Sequence, residues 1–553
     1  MILSQCTSAS IHSYVARDVL NKLERNGQEK RKRRDQWWLE QKQSGMTQKA
    51  LPITSDSGLF QIIKNTKIGR LMGDYLNSSI LFNNIREVIW DRSDQLGRLY
   101  PTLLWLVSKE ERENNMNKYL DRIAKIGLSL SVSMFLLGAA NVPMLVLLWL
   151  CQRSLMSVGG VWYGFGWEPQ LAELTFHAIF MAPFLSLNAI PYHSPVPRVT
   201  IWAMRWFLFR IMIGAGLIKL RSSDPKWKMN NLSTMDYFYE TQPVPNPFTK
   251  FFHMAPKPWH KFEVLSNHFV ELIAPWLLIA PWIGRKWTIV GGMIQLLFQS
   301  ILITSGNLSF LNWLTMLPAI YCFDDAFLSK LFTPGYTASA SIASYTHLSA
   351  SAAGAMGLLR NFMNIFFGAL IMKLSIPVVK NLLSKKQLMN ASFDPLRLVN
   401  TYGAFGTVEE ERYELIISAA ENHEGPWEEY QFKVKPGDVT RPPRFISPYH
   451  FRLDWCMWIA SCSGDIYRSP WLFTFLLKLL EQNEDVRDLI EFDPFKQING
   501  DRRKPKYIQI EKYRYKFNTA RGGDYWIRER VERYFPKQGL CSVEELKEII
   551  ALT

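Results

Sequence analysis

IGLSLSVSMFLLGAANVPMLVLLWLC, residues 126–151, carries no charged side chain. The run exceeds the roughly 20 residues that a helix needs to cross a bilayer. It reads as one transmembrane span in which Gly138, Ala139 and Ala140 suit close helix contact and Pro143 introduces a kink. Working outward, apolar stretches recur at 171–190, 200–220, 266–283, 287–323 and 356–379. The stretch 287–323 is long enough for two passes, or for one pass with a re-entrant piece around SGNLSFLNW (305–313). These runs predict a polytopic α-helical membrane protein with six or seven membrane segments, followed by a C-terminal soluble α+β domain.

Whole-chain averages conceal this organisation. The 553 residues are 48% hydrophobic and include 20 Trp, yet the mean hydropathy is only −0.07. That value averages an apolar block at 123–380 with polar flanks. The formal charge of +15 is compatible with nucleic-acid binding, but basic residues flanking spans are also what membrane topology requires, and this second explanation is preferred. No nucleic-acid partner is expected.

Residues 1–60 are polar, with a basic run KRKRRDQWWLEQKQ at 30–43, and read as a disordered cytosolic segment rather than a signal peptide. A juxtamembrane segment follows at 61–122. Beyond the membrane block, 394–535 changes character. Residues 400–438 alternate like strands broken by Gly and Asn turns, 452–461 and 471–490 are helical in period, and 506–517 is strand-like. WLFTFLLKLL (471–480) is too short to span and reads as a core helix. Residues 536–553 form a tail.

Sequons occur at Asn77, Asn231, Asn307 and Asn390. Asn390 follows the last span, so its glycosylation would put the α+β domain in the secretory lumen. With a cytosolic N-terminus, that requires an odd number of crossings. The six cysteines (6, 151, 322, 456, 462 and 541) show no metal spacing. Cys456 and Cys462 are near enough in sequence to pair, with free buried thiols the preferred state.

Polar residues inside the apolar block are the candidate functional groups. Arg205 and Arg210, five apart, point to different faces of one helix, and Lys219 at its end is placed to snorkel. Asn267, His268 and Glu271 give one polar face, and Gln295 and Gln299 another. Three readings compete: hydrogen bonds that fix the bundle, a transport pathway, or a catalytic pocket with Glu271 or His268 as base. No cofactor fingerprint, metal motif or activated nucleophile is present. YETQPVPNP (239–247) is a proline-stiffened connector flanked by aromatics. Tyr239, Pro243, Pro245 and Pro247 are therefore candidates for binding a client or capping the bundle. Trp427, Tyr430, Tyr449, Trp455 and Trp458 are candidates for a client-binding surface in the α+β domain.

WYGFGWEPQLAEL (162–174), FRIMIGAGLIKLR (209–221), MDYFYETQPVPNPF (235–248), LSNHFVELIAPW (265–276), SGNLSFLNWLTMLPAIYCFDD (305–325), VNTYGAFG (399–406) and ISPYHFRLDW (446–455) resemble, in order, signatures of the lipase maturation factor family. The resemblance implies a multi-pass endoplasmic-reticulum protein whose lumenal domain helps secreted dimeric lipases, such as lipoprotein lipase, to fold and assemble, without a cofactor and alongside other folding factors of that compartment. Where the family pattern has lumenal cysteines near 226–233 and 432–438, this chain has residues such as Lys226 and Val434. GAGLIKL followed by DPKW (224–227) also faintly resembles the membrane domain of vitamin-K-dependent γ-carboxylases, which keeps an enzymatic alternative in play. A generic membrane scaffold is a further alternative.

Overall fold

The 126–151 run is two helices, not one span. Helix α1 covers Lys109–Leu137 and α2 covers Val142–Val158. Ser108 caps α1 by accepting from Glu111 N, and Gly138 ends it in the left-handed region at φ 60°. Asn141 then accepts from Met144 N to start α2, with Pro143 in the first turn, where its missing N–H costs nothing. The glycine and the proline therefore build a hairpin turn instead of a contact stripe and a kink. The computed structural model describes residues 102–188, 196–280, 284–328, 330–331, 355–496, 503–520 and 522–552. The expected 1–60 segment, Asn77 and the part of 61–122 before 102 lie outside the described residues.

After the hairpin come α3 (Trp167–Ile179), α4 (Arg198–Arg221), the short α5 (Met235–Thr241) and α6 (Thr249–His253), and α7 (Lys257–His268). At 13 residues α3 is about 20 Å long. It is shorter than the expected 171–190 span and buries Glu168, Gln170, Glu173 and His177. Helix α7 continues through a π-turn at Phe269–Ile273 into α8 (Trp276–Ile279). The cause of the π-turn is local. Pro275 has no N–H, Ala274 N donates back to Phe269 O at 3.0 Å, and Val270 O is left for the side chain of Gln295, which donates to it at 3.1 Å.

Helix α9 (Arg285–Ser305) is followed by α10 (Leu311–Ala319). The Arg285 guanidinium meets the Asp324 carboxylate, so the segment after α9 returns to the level at which α9 began. A Cβ on Gly292 would lie 2.6 Å from Cys322 Cβ, so this close return requires glycine there. The 287–323 stretch is thus an antiparallel pair. Helix α11 (Ala355–Leu383) packs along α4. Four helical stretches among the described residues are long and apolar enough to cross a membrane: Arg198–Arg221, Lys257–Ile279, Arg285–Ser305 and Gly357–Leu383.

The C-terminal domain contains β1 (Arg412–Ala420), β2 (Glu428–Glu429), α12 (Arg452–Ser463), α13 (Trp471–Leu480), β3 (Tyr507–Phe517), β4 (Trp526–Phe535) and α14 (Val543–Leu552). The antiparallel sheet runs β2-β1-β3-β4. Leu415, Ile417 and Ala419 face a core shared with α12 and α13, while Ile416 joins Tyr515, Phe517 and Trp526 on the other face. WLFTFLLKLL is the buried α13, and the chain leaves it at Glu481 before a separate turn at Glu484–Arg487.

Two expected boundaries shift. Leu546 is fully buried in the core that holds α13, and Ile508 N donates to Cys541 O at 3.0 Å, so 536–552 belongs to the domain rather than to a tail. Residues 400–411 are not strand. Asn400 N donates to Glu173 Oε2 at 3.1 Å and Val408 N to Asp224 Oδ2 at 2.9 Å. Carboxylates of the helical block thus take backbone groups that a sheet partner would otherwise use.

Candidate functional site

Residues 239–249 form the joint between the helical block and the sheet domain. Tyr239, Glu240 and Thr241 end α5, after which the prolines hold the chain out of helix. From the helical side, Gln242 Nε2 donates to Ser305 O at 3.2 Å and Asn246 Nδ2 to Thr304 O at 2.8 Å. From the sheet side, Arg412 donates to the carbonyls of Glu240 (3.0 Å), Gln242 and Pro243 (3.0 Å). Trp458 Nε1 donates to Thr241 O at 3.1 Å, and Phe517 N to Glu240 Oε2 at 2.8 Å. Burial pushes the Glu240 carboxyl up, against the pull of that N–H.

Asn307 bridges both parts. Its amide donates to Pro245 O (2.9 Å) and Arg444 O (2.8 Å) and accepts from Ile446 N (3.1 Å). It is 0% exposed, so as a glycosylation candidate Asn307 is corrected: the nitrogen that would carry the glycan is already bound on both hydrogens. Asn231 is exposed, and the half-buried Asn390 donates to Gly403 O at 3.2 Å.

Behind the joint lies a buried triad. Arg412 and Lys435 both pair with Glu414, the lysine at 3.0 Å, and all three side chains are 0% exposed. A second cluster sits where α3, α4 and the strap 390–406 meet. Glu173 pairs with Arg210 and accepts from Asn400 Nδ2 (2.8 Å) and Tyr402 Oη (2.6 Å), while Arg210 Nη1 donates to Asn400 O (2.6 Å). In a third, Glu168 pairs with Arg452 at 2.5 Å and accepts from Gln152 at 2.9 Å. Buried charges of this kind persist only when paired and hydrogen-bonded.

The intramembrane candidates resolve as follows. Arg205 and Arg210 do diverge, Arg205 Nε donating to Tyr321 O at 2.9 Å. Lys219 does not snorkel: it is buried, 2.6 Å from Glu271 Oε1 and 3.0 Å from Asn267 Oδ1. Asn267 Nδ2 completes the site by donating to Glu271 Oε2 at 3.0 Å. His268 leaves that face and donates through Nε2 to Trp227 O at 2.9 Å. Gln295 serves Val270 O, as above, and Gln299 lies 3.8 Å from Met212 Sδ. The Glu271 carboxylate is thus held by a cation and an amide.

The family models match this architecture in two parts. The lipase maturation factor transmembrane domain matches residues 78–330, and the lipase maturation factor C-terminal domain matches 398–536. Lipase maturation factor 1 of Homo sapiens is 41% identical over 497 residues, covering 86% of this chain and 84% of that protein. The chain belongs to the lipase maturation factor family. Lipase maturation factor 1 of Bos taurus is 45% identical over 451 residues, covering 79% of this chain and 78% of that protein. Lipase maturation factor 2 of Xenopus tropicalis is 28% identical over 537 residues, covering 79% and 74%. No solved structure matches the chain. As a member of this family, the protein is a helical membrane protein with a strand-containing C-terminal domain.

Several surface candidates turn out to be interior in this lipase maturation factor family member. Tyr239, Pro243 and Pro245 are buried in the joint, and Pro247 is exposed. Trp455 (1% exposed), Trp458 and Tyr430 are core, while Trp427 and Tyr449 are half-buried. The apolar side chains that the sheet domain does present are Phe445, Tyr467, Phe492, Ile527 and Val531. Single exposed apolar residues have no sequence signature, because only the fold says which are covered. Cys456 and Cys462 are six apart on α12 and both free. Burial pushes the Cys456 thiol up to about 12, so it is not a thiolate at neutral pH. Burial, opposed by the N–H groups of Lys435 and Val434, likewise raises the Asp454 carboxyl.

Proposed function

We propose that this protein is a non-enzymatic maturation factor of the endoplasmic-reticulum membrane, with its sheet domain in the lumen and secreted dimeric lipases, such as lipoprotein lipase, as clients. The observation that carries this reading is the identity of 41% to Lipase maturation factor 1 of Homo sapiens, which runs through both the helical block and the sheet domain. The chemistry supports a helper rather than a catalyst. The buried carboxylates Glu173, Glu271 and Glu414 each hold a cation, an arrangement that fixes structure. The exposed Asn231 and the exposed apolar residues of the sheet domain suit a lumenal face that meets unfinished clients. Cells lacking the protein are expected to make lipase polypeptide at normal levels while secreting little active dimer. Normal secreted lipase activity in such cells would refute the assignment.

A catalytic reading has one observation in its favour: Glu271 lies within a π-turn, a distortion often found at functional sites. The two readings separate by mutation. Glu271→Gln leaves Lys219 buried beside a neutral amide, a loss of about 3–5 kcal/mol for a broken buried pair. The expected result is low protein abundance. The double substitution Lys219→Met with Glu271→Met removes both charges and is expected to restore abundance and client activity together. Restored abundance without client activity would give the Lys219–Glu271 pair a role beyond structure and favour the catalytic reading.

A further inference from the structure

We propose that α6 and the first two turns of α7 form a corner, or foot, seated in the headgroup layer of the bilayer, where the membrane-crossing stretch begins, with anionic phospholipid headgroups as its ligand. The apolar half of the foot is exposed. Phe248, Phe251 (75% exposed), Met254, Trp259 and Phe262 all lie open on the surface of this short corner. Its basic half is Lys257 and Lys261, both exposed and close in sequence to Trp259 and Phe262. The one carboxylate within 248–265, Glu263, is occupied by Tyr239 Oη and Trp259 Nε1, each at 2.9 Å. An apolar face bordered by lysines and aromatics is the composition that lies at a membrane surface.

Position decides for lipid over a protein partner. Phe262 and Leu265 begin a stripe that continues through Phe269, Ile273 and Trp276 on the same helical stretch, all exposed. That stretch is one of those long and apolar enough to cross the membrane, so the corner is continuous with its lipid-facing surface. Gln295 on α9 reaches Val270 O, and the end of α9 at Thr304 and Ser305 reaches Asn246 and Gln242. The corner therefore stands at the level where α9 ends and the sheet domain begins.

The inner face is pinned, which holds the outer face outward. His260 contacts Asp236 at 2.7 Å through Nδ1 and Phe252 O at 3.0 Å through Nε2, and Tyr239 stacks on Phe252 at 5.5 Å. The foot also reaches the end of the sheet. Lys250 Nζ lies 4.8 Å from the Tyr525 ring centre, and the His253 ring 5.3 Å from Phe517. Seating the foot thus fixes the β3–β4 turn at the membrane surface. The far end of β1, eight residues beyond Arg412, lies roughly 27 Å along the strand from the end of the sheet that the foot reaches.

The test uses the full chain in nanodiscs of phosphatidylcholine and phosphatidylserine. A fluorophore is attached at Phe251→Cys, at Phe262→Cys, or at Glu424→Cys as the reference on the distant loop, with the unsubstituted protein as background. Lipids carrying a nitroxide near the headgroup are expected to quench positions 251 and 262 strongly and 424 weakly, with aqueous iodide giving the opposite order. Iodide quenching at 251 and 262 equal to that at 424 would overturn the proposal, because the corner would stand in water. Strongest quenching from chain-end nitroxides would also overturn it, since the corner would then lie in the acyl core. Lys257→Glu with Lys261→Glu is expected to abolish any preference for phosphatidylserine-linked over phosphatidylcholine-linked nitroxide. An unchanged preference would remove the headgroup from the account.

Discussion

Replacing Arg412 by Met is expected to cost about 3–5 kcal/mol, the scale for removing one partner of a buried ion pair. The guanidinium pairs with Glu414 and supplies donors to three carbonyls of the 239–247 stretch. Its loss leaves those carbonyls unsatisfied in a site that water does not reach, and leaves Glu414 with Lys435 alone. Domains are stable by only about 5–15 kcal/mol, so the variant should accumulate poorly and the two parts should separate under mild protease. Arg412→Met combined with Glu414→Met should lose more than Arg412→Met alone, because it leaves Lys435 buried without its carboxylate. Thermal unfolding of the purified proteins in detergent reads both. An Arg412→Met protein as stable as wild type would show that the joint does not hold the two parts together.

The second large effect is expected at Glu173. Glu173→Ala strands Arg210, which is 1% exposed, and removes the acceptor used by Asn400 N, Asn400 Nδ2 and Tyr402 Oη. The expected cost is again about 3–5 kcal/mol. Tyr402→Phe deletes one hydroxyl from the same site and should cost about 1–3 kcal/mol. The ordering is the check. Equal effects from the two would mean that the ion pair adds nothing beyond the hydroxyl hydrogen bond. The distribution of damage should also be specific, because Glu173 ties the strap 390–406 to α3 and α4. Protease should cut within the strap before it cuts within the sheet.

The long apolar helices were legible because length and absence of charge are local properties. Helix α4 lies where 200–220 predicts it, and α11 contains 356–379. The 126–151 run misled because apolar length outweighed three local signals, Gly138, Asn141 and Pro143, that mark one helix ending and another beginning. Lys219 misled for a tertiary reason. A lysine near a helix end is expected to reach water, but here Asn267 and Glu271 of α7 and its π-turn cover it. The ionic clusters had no readable sequence signal. Glu173 and Asn400 are 227 residues apart, and Glu168 and Arg452 are 284 apart. No periodicity connects positions so distant, so charged residues within apolar surroundings could be noticed but not paired. The proline stretch was half legible. Its prolines do end α5, yet Tyr239, Pro243 and Pro245 face inward because Arg412, Trp458 and Asn307 converge on their carbonyls and those of their neighbours.

The helical membrane block is joined through 239–249 to the sheet domain, for which the proposed position is the lumen. Protease added to sealed microsomes, before and after detergent, tests this most directly. The sheet domain, followed with an antibody to residues 412–552, is expected to stay intact in sealed vesicles. After detergent it should be cut, because the exposed loop residues 422–424 then meet the protease. Digestion of the sheet domain in sealed vesicles would put it on the cytosolic side and contradict the account.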